Sequence, residues 1–534
     1  MRGRLEAWFK VEPEESRTTL LLFLHCMCVV AAAFVIGRAV GNTLFLQRVD
    51  NRWLPYAYVV SAVVVSTLSA IYARFAGRVR SDRLIVRTAA RFAAAVLATR
   101  FALGLAPDSL LLLGLVYVLF DVVGDISILQ VWTLAGDLFT ARQGKRLFAV
   151  VGAGGTVAGV LFGGLLNLSV RVLGAENQLL IAALLLLAVA VIARAIGRVE
   201  GHHLEIKPST VTGSAAGLRG DLSRIVASKY MVGIAALIAV TTLVSVLIDY
   251  QWKLAANAAY LHDENGLAGY FGLFFVITNG VALVVQVGLA SRLLERFGLR
   301  AGLSLLPAVL VVGVSGLLLA PSAALALVAA SAAKGGDGAL RYSIHNASME
   351  MLYRPLGSFR PRAKAIVEGI ARPIWAALAG LLIAGLTAVV EPHQLGPLTL
   401  SLIIAWLILA GLAQREYAVA PATTLRSRRA LPVDAATLDR STIEGLERAL
   451  SSDDPRQALN ALALLESFSG IRWNLPFDKL LASDDLSLRR RAAAYIARHG
   501  GAEVTPLEPL LDHEDPELCQ AEGAGGRRPG RAVL

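Results

Sequence analysis

The chain has 534 residues, of which 56% are hydrophobic and only 17% charged, with a mean hydropathy of +0.60. Soluble domains carry about a quarter of charged residues, so this composition excludes an ordinary soluble domain and points to a polytopic membrane protein. The net charge of +11 does not mark a nucleic-acid partner, because the arginines sit in short gaps between apolar blocks rather than in one aromatic-interleaved patch.

Residues 1–17 are of mixed charge and read as a cytosolic N-terminus rather than a cleaved signal. Twelve apolar blocks follow, at 18–37, 56–76, 88–106, 109–131, 148–168, 177–197, 230–252, 268–290, 301–320, 322–345, 365–389 and 395–414. Each is near the ~20 residues that a ~30 Å hydrocarbon core requires. Backbone groups in lipid must pair within their own segment, so the blocks are predicted helices and the fold class is all-α. The gap at 198–229 is the longest and splits the spans into two six-helix halves, 18–197 and 230–414. With the N-terminus in the cytoplasm, the inner gaps hold Arg78, Arg80, Arg83, Arg87, Lys145, Arg146, Arg198, Arg224, Arg292, Arg362 and Lys364. The outer gaps hold mainly Arg48, Arg52, Arg171 and Lys253. That asymmetry places both termini in the cytoplasm and the protein in the cytoplasmic membrane.

Two features resemble major-facilitator transporters. Span two is followed by Gly77-Arg-Val-Arg-Ser-Asp82-Arg83, similar to that fold's Gly…Asp-Arg loop. The halves also echo one another: in one gap-free register Lys145 faces Arg362, Gly152 faces Gly369 and Gly163 faces Gly380. Past 414 the chain turns polar, with a linker over 415–440. Acidic starts at Asp454, Asp485 and Asp515 then recur about every thirty residues, and 441–516 reads as HEAT-like helical repeats, a surface for a cytosolic protein partner. Residues 517–534 are Gly- and Arg-rich and are expected to be disordered.

Ionisable groups inside spans are costly and mark pathways or mutual pairs. Span ten carries Lys334, Asp337, Arg341 and His345 on one helical face. The functional reading is an anion site on Lys334 and Arg341; the structural one is an internal ion network. In span four, Asp121 and Asp125 lie one turn apart and are expected to pair with Arg38 at the end of span one, or to couple transport to an ion. The sequence Asp249-Tyr250-Gln251-Trp252-Lys253 closes span seven in the manner of interfacial anchors. Gly152, Gly154 and Gly155 open span five without a Walker pattern, so tight helix crossing near a cytoplasmic gate is their expected role. Cys26, Cys28 and Cys519 lack metal spacing, and no catalytic constellation or cofactor motif stands out.

The stretch from Trp132 through Gly136-Asp137, Arg142 and Lys145-Arg146-Leu-Phe148 to Gly152-Ala-Gly154 resembles the ATP/ADP translocase family, as does Tyr342 with Glu350-Met-Leu-Tyr353-Arg-Pro355-Leu356 leading to Lys364. The resemblance implies a major-facilitator-like fold of twelve spans and a small anionic substrate such as ATP or ADP, with Arg38 matching a family arginine in span one. This chain departs from the family at Ala39, Gly41 and Asn42, where an acid, a lysine and an acid stand in the exchangers, and after Pro373, where no basic residue follows. Fewer cations weaken the case for a triphosphate. The leading expectation is a secondary transporter working by alternating access. The rival is a non-transporting membrane sensor or scaffold that recruits a protein through its helical repeats.

Overall fold

The computed structural model describes residues 13–75, 79–200, 215–286, 290–391 and 394–426, together with 450, 457–459, 461–462, 477–483, 485, 487–489 and 491–492. Residues 1–12, 201–214, 427–440 and 517–534 lie outside the described residues, as does most of the expected repeat array. Within that array, the Asp485 carboxylate accepts the backbone N–H of Ser487 at 2.8 Å and of Leu488 at 3.2 Å, a local cap of the expected kind.

The chain divides into two compact units, Met1–Met351 with Pro361–Gly411, and Leu352–Arg360 with Leu412–Leu534. The first unit carries the transmembrane bundle. Span one runs through Pro13–Val29, a π segment Val30–Gly37 and Arg38–Arg48; spans two to six are Leu54–Phe75, Ser81–Leu105, Leu110–Leu138, Ala141–Leu173 and Gln178–Val199. After a helix at Ala215–Ala227, spans seven to nine are Lys229–Ala259, Glu264–Val284 and Ala290–Leu318. Span ten is Ala323–Leu340 continued by a π segment, Arg341–His345, and by Asn346–Leu352. Span eleven is Arg360–Lys364, a π segment Ala365–Ala371 and Arg372–Thr387, and span twelve is Leu395–Arg426. Eleven of these helices are long and apolar enough to cross a membrane. Span ten is the exception, because Lys334 and Asp337 lower its hydropathy.

Several helices outrun their apolar blocks. Span one extends over Glu15–Arg48, 34 residues, so Arg38 lies inside the helix rather than at its end. Span seven reaches Ala259, which corrects the expected anchors: Tyr250, Gln251, Trp252 and Lys253 are buried in the bundle. A charge halts an apolar block in sequence but not a helix in a bundle, where a partner awaits it.

The cytoplasm-side loops predicted from charge are held by specific pairs. Thr140 and Gln143 form a capping box that opens span five. Gln143 and Arg146 both donate to Glu15 at the start of span one, at 2.8 and 2.5 Å. In the second half, Arg362, one residue from the register of Arg146, reaches Asp221 ahead of span seven at 3.6 Å. In the Gly…Asp-Arg loop, Arg80 pairs with buried Asp82 and donates to the Gly197 carbonyl of span six, and Ser81 donates to Asp137 at the end of span four.

Small residues set the approach of the helices. A Cβ on Gly154 would lie 2.4 Å from the Phe23 carbonyl oxygen of span one. Gly155 sits 3.2 Å from Val30, whereas Gly152 has only ordinary contact with the edge of Trp132 at 3.4 Å. Tight crossing therefore belongs to Gly154 first. Gly163 and Gly380, matched in the internal register, do the same job between the halves. A Cβ on Gly163 would meet the Gly272 carbonyl of span eight at 2.6 Å, and one on Gly380 the Pro55 carbonyl of span two at 2.8 Å. Neither carbonyl can move without its helix. Gly163→Leu and Gly380→Leu are each expected to destabilise the purified protein by about 1–3 kcal/mol through overpacking, read as a lower melting temperature in detergent, while Gly152→Ala leaves it unchanged.

Candidate functional site

The ionisable residues of the spans gather into three groups. In the first half, Arg38 follows the π segment of span one, a local irregularity often found at functional positions. Its Nε lies 3.0 Å from Asp121 and its Nη2 3.6 Å from Asp125, and its guanidinium stacks 4.6 Å from the Phe34 ring centroid. Ser61 donates to the other oxygen of Asp121 at 2.5 Å. Asp125 keeps 49% of its side chain exposed, so the expected pairing of Arg38 with both acids is found, with Asp121 the tighter partner.

The second group joins the halves. Asp249 of span seven receives Lys253 at 2.8 Å and Lys334 at 2.6 Å, one on each carboxylate oxygen. From the first half, Tyr58 donates to Asp249 at 2.8 Å, and Lys253 donates to the Tyr117 hydroxyl at 2.8 Å. The Lys253 ammonium also lies 5.0 and 4.9 Å from the ring centroids of Tyr58 and Tyr117, within cation–π range. Lys334 is thus brought to Asp249, on another helix, rather than to Asp337 one turn along its own.

The third group lies one turn further down span ten. Arg341 donates to Asp337 Oδ1 through Nε at 3.0 Å and Nη2 at 2.5 Å, and Ser245 of span seven donates to Oδ2 at 2.8 Å. Arg341 and Asp337 are buried, and Arg341 opens the π segment that carries His345. Arg341, His345, Lys364, Glu368 and Arg372 line a cavity of about 150 Å³ among spans seven, ten and eleven.

Sequence reasoning missed Asp249, Lys253, Tyr58 and Tyr117 as members of one cluster, since every contact except that of Asp249 with Lys253 joins residues far apart in the chain. It also missed Arg48 at the end of the bundle away from the termini. Arg48 grips Glu264 of the second half through two bonds of 2.5 and 2.8 Å and Glu176 of the first half at 2.8 Å. Beside it, Gln47 donates to Asn257 at 2.8 Å and to the Tyr260 carbonyl at 2.9 Å, and Asn167 donates to the Gly269 carbonyl at 2.8 Å. The two halves are joined at this distal end. Among the described residues no group of His, Cys, Asp and Glu is arranged to hold a metal ion.

Two six-helix halves, tied at one end and enclosing paired charges, form a fold of the major-facilitator type. Solved structures agree on the fold. A variant of the nucleoside transporter NupG superposes with a TM-score of 0.56 at 11% identity, covering 74% of this chain and 99% of that one. An autoinhibited POT family peptide transporter gives 0.53 at 12% identity over 80% and 99%. A bacterial homologue of the iron transporter ferroportin in an inward-facing state gives 0.52 at 15% over 76% and 99%. No curated protein matches the chain. Residues 82–321 match the model of the TLC ATP/ADP transporter family.

Removing one member of a buried ion pair strands the other at a cost of about 3–5 kcal/mol. Asp249→Ala strands two lysines, so it is expected to lower the melting temperature further than Lys334→Ala, and Asp249→Ala combined with Lys253→Ala is expected to recover part of the loss. A double-mutant cycle on melting curves in detergent checks this; additive losses would mean that the two groups do not share a field.

Proposed function

We propose that the protein moves a small organic anion across the cytoplasmic membrane by alternating access, with nucleotides such as ATP or ADP among the candidate substrates. In this reading both termini are cytoplasmic, as the lysine and arginine distribution supports. The protein acts as a carrier and not as an enzyme. Arg38, Lys334 and Arg341 are the cations that meet the anion; Asp121 and Asp125 hold Arg38, Asp249 holds Lys334 and Asp337 holds Arg341 between transport events.

The observation that carries the reading is the form of the pairing. Arg38 is held by Asp121, Lys334 by Asp249, and Arg341 by Asp337, at 3.0, 2.6 and 2.5 Å. A cation in low dielectric needs a counter-charge at all times. An acid supplies it in the empty carrier, on a neighbouring helix for Arg38 and Lys334 and on the same helix for Arg341, and an incoming anion takes that place and frees the acid. Exchange of partners keeps the charge compensated throughout, so substrate binding and helix movement become one event. The same pairing sets a limit on the ligand. A triphosphate requires several pairs to open together, whereas a singly or doubly charged anion requires one or two. Gly41, where the related exchangers carry lysine, removes one further cation.

The test is uptake by purified protein in liposomes, against ATP, ADP and smaller organic anions. Lys334→Ala and Arg341→Ala are each expected to abolish uptake while the protein still reaches the membrane. Normal transport by both variants removes these residues from the site. The expected helical repeats beyond 441 would give a surface for a cytosolic partner, and deletion after Arg415 is expected to leave uptake intact.

A further inference from the structure

The segment between the halves ends in a helix that the transport reading does not use. Ala215–Ala227 is 13 residues long, and a single residue, Ser228, separates it from span seven. Ser228 is extended, at φ −101° and ψ 113°, and its hydroxyl accepts the Met231 N–H at 3.4 Å, so the chain turns there and a new helix begins. Span seven is long and apolar enough to cross the membrane over Lys229–Ala259. The short helix therefore stands where span seven enters the bilayer, on the side of the bundle that carries the start of span one.

Its sides differ in chemistry. Asp221 and Ile225, one turn apart, face the bundle: Ile225 is buried, and Asp221 holds Arg362 of span eleven 3.6 Å away. At about 100° per residue, Leu222 and Val226 lie roughly a quarter-turn further round. They form an apolar edge that is 43% and 73% exposed. Ser223 and Arg224 point to the remaining sides and are exposed, with the Ser223 hydroxyl donating to the Gly220 carbonyl at 2.8 Å.

A helix that lies on a bilayer beside a transmembrane bundle needs one side for the protein and an adjacent side for lipid. The apolar edge at Leu222 and Val226 supplies the second, and exposed apolar surface resumes at Val232 in the first turn of span seven. The charge agrees. Arg224, Lys229 and Arg362 stand exposed at this corner against Asp221, and cations at a membrane surface attract anionic headgroups. We propose that Ala215–Ala227 is a membrane-surface helix that sinks Leu222 and Val226 into the leaflet on this side, with anionic lipid headgroups gathered by Arg224 and Lys229. Through Ser228 and the Asp221–Arg362 pair, the helix then sets the depth at which spans seven and eleven enter the bilayer. The inference goes beyond the transport reading and needs only that the bundle spans a membrane.

The test places a nitroxide label on the full chain at one position at a time, through Leu222→Cys, Ser223→Cys or Val226→Cys. Cys519 is replaced by serine in each, and Cys26 and Cys28 are buried. The protein is reconstituted into phosphatidylcholine liposomes with and without phosphatidylglycerol. Collision of each label with oxygen, which concentrates among acyl chains, is compared with collision with a water-soluble nickel chelate. Labels at 222 and 226 are expected to favour oxygen severalfold over the label at 223, which carries the same probe and so controls for the probe's own affinity for lipid. Phosphatidylglycerol is expected to deepen the label at 226, and Arg224→Gln with Lys229→Gln to remove that gain while the contrast in phosphatidylcholine remains. Nickel access at 222 and 226 equal to that at 223 overturns the proposal, as does access by neither reagent, which would mean that protein covers the edge. A depth that ignores phosphatidylglycerol, or a gain that survives loss of both cations, overturns it as well. None of these measurements needs a substrate, so failure here leaves the transport reading where it stands.

Discussion

A carboxylate buried between two lysines holds this bundle to its present form. Asp249 takes Lys253 on one oxygen and Lys334 on the other, and it accepts Tyr58 from the opposite half. None of these charges is tolerable alone in a medium of low dielectric, so spans two, four, seven and ten are obliged to converge where they do. Lys253 passes the constraint on to Tyr117 of span four, and span four in turn holds Asp121 and Asp125 against Arg38 of span one. The charge groups are therefore steps of one compensation problem, solved by helices drawn from both halves. In the proposed carrier, such an arrangement keeps the cations compensated in lipid when no substrate is bound.

Around that centre, the internal repeat governs packing. Gly163 of span five approaches the Gly272 carbonyl of span eight, and Gly380 of span eleven approaches the Pro55 carbonyl of span two. Matched positions in the two halves thus make matched crossings onto the other half. The starts of spans five and eleven are likewise tied to the chain ahead of spans one and seven, through Glu15 with Arg146 and Asp221 with Arg362. Those ties act within a half, and the glycine crossings act between halves. Each half is thereby stiffened internally, while its contact with the other combines close glycine crossings with a few polar pairs, Tyr58–Asp249, Lys253–Tyr117 and Arg48–Glu264 among them.

Much of this was legible in the chain. Twelve apolar blocks became twelve helices, and Arg38 with Asp121 and Asp125 formed the expected pairs, because a lone charge in a span calls for a partner at similar depth. The glycine register was readable because repeats preserve spacing. Asp249 and Lys253 were misread as interfacial anchors because an apolar block ends wherever charges begin, while the helix continues as long as those charges find partners. The partner of Lys334 was not readable at all: Asp337 is one turn away in sequence, and Asp249 becomes nearer only once spans seven and ten pack. The π segments beside Arg38, Arg341 and Arg372 leave no spacing signature, since a widened turn is a response to packing. The cavity with His345, Glu368 and Arg372 depends on two of those segments and was hidden for the same reason.

The central claim is that the halves, closed at the distal end by Arg48, Gln47 and their partners, must part there for transport to occur. The direct measurement is uptake by a Gln47→Cys, Asn257→Cys protein treated with a short, reducible thiol crosslinker, in a background with Cys519 replaced. These side chains meet at 2.8 Å between the halves, and the native Cys26 and Cys28 are buried. Transport lost on crosslinking and restored by reductant is the result this account predicts. Undiminished transport by fully crosslinked protein would contradict it.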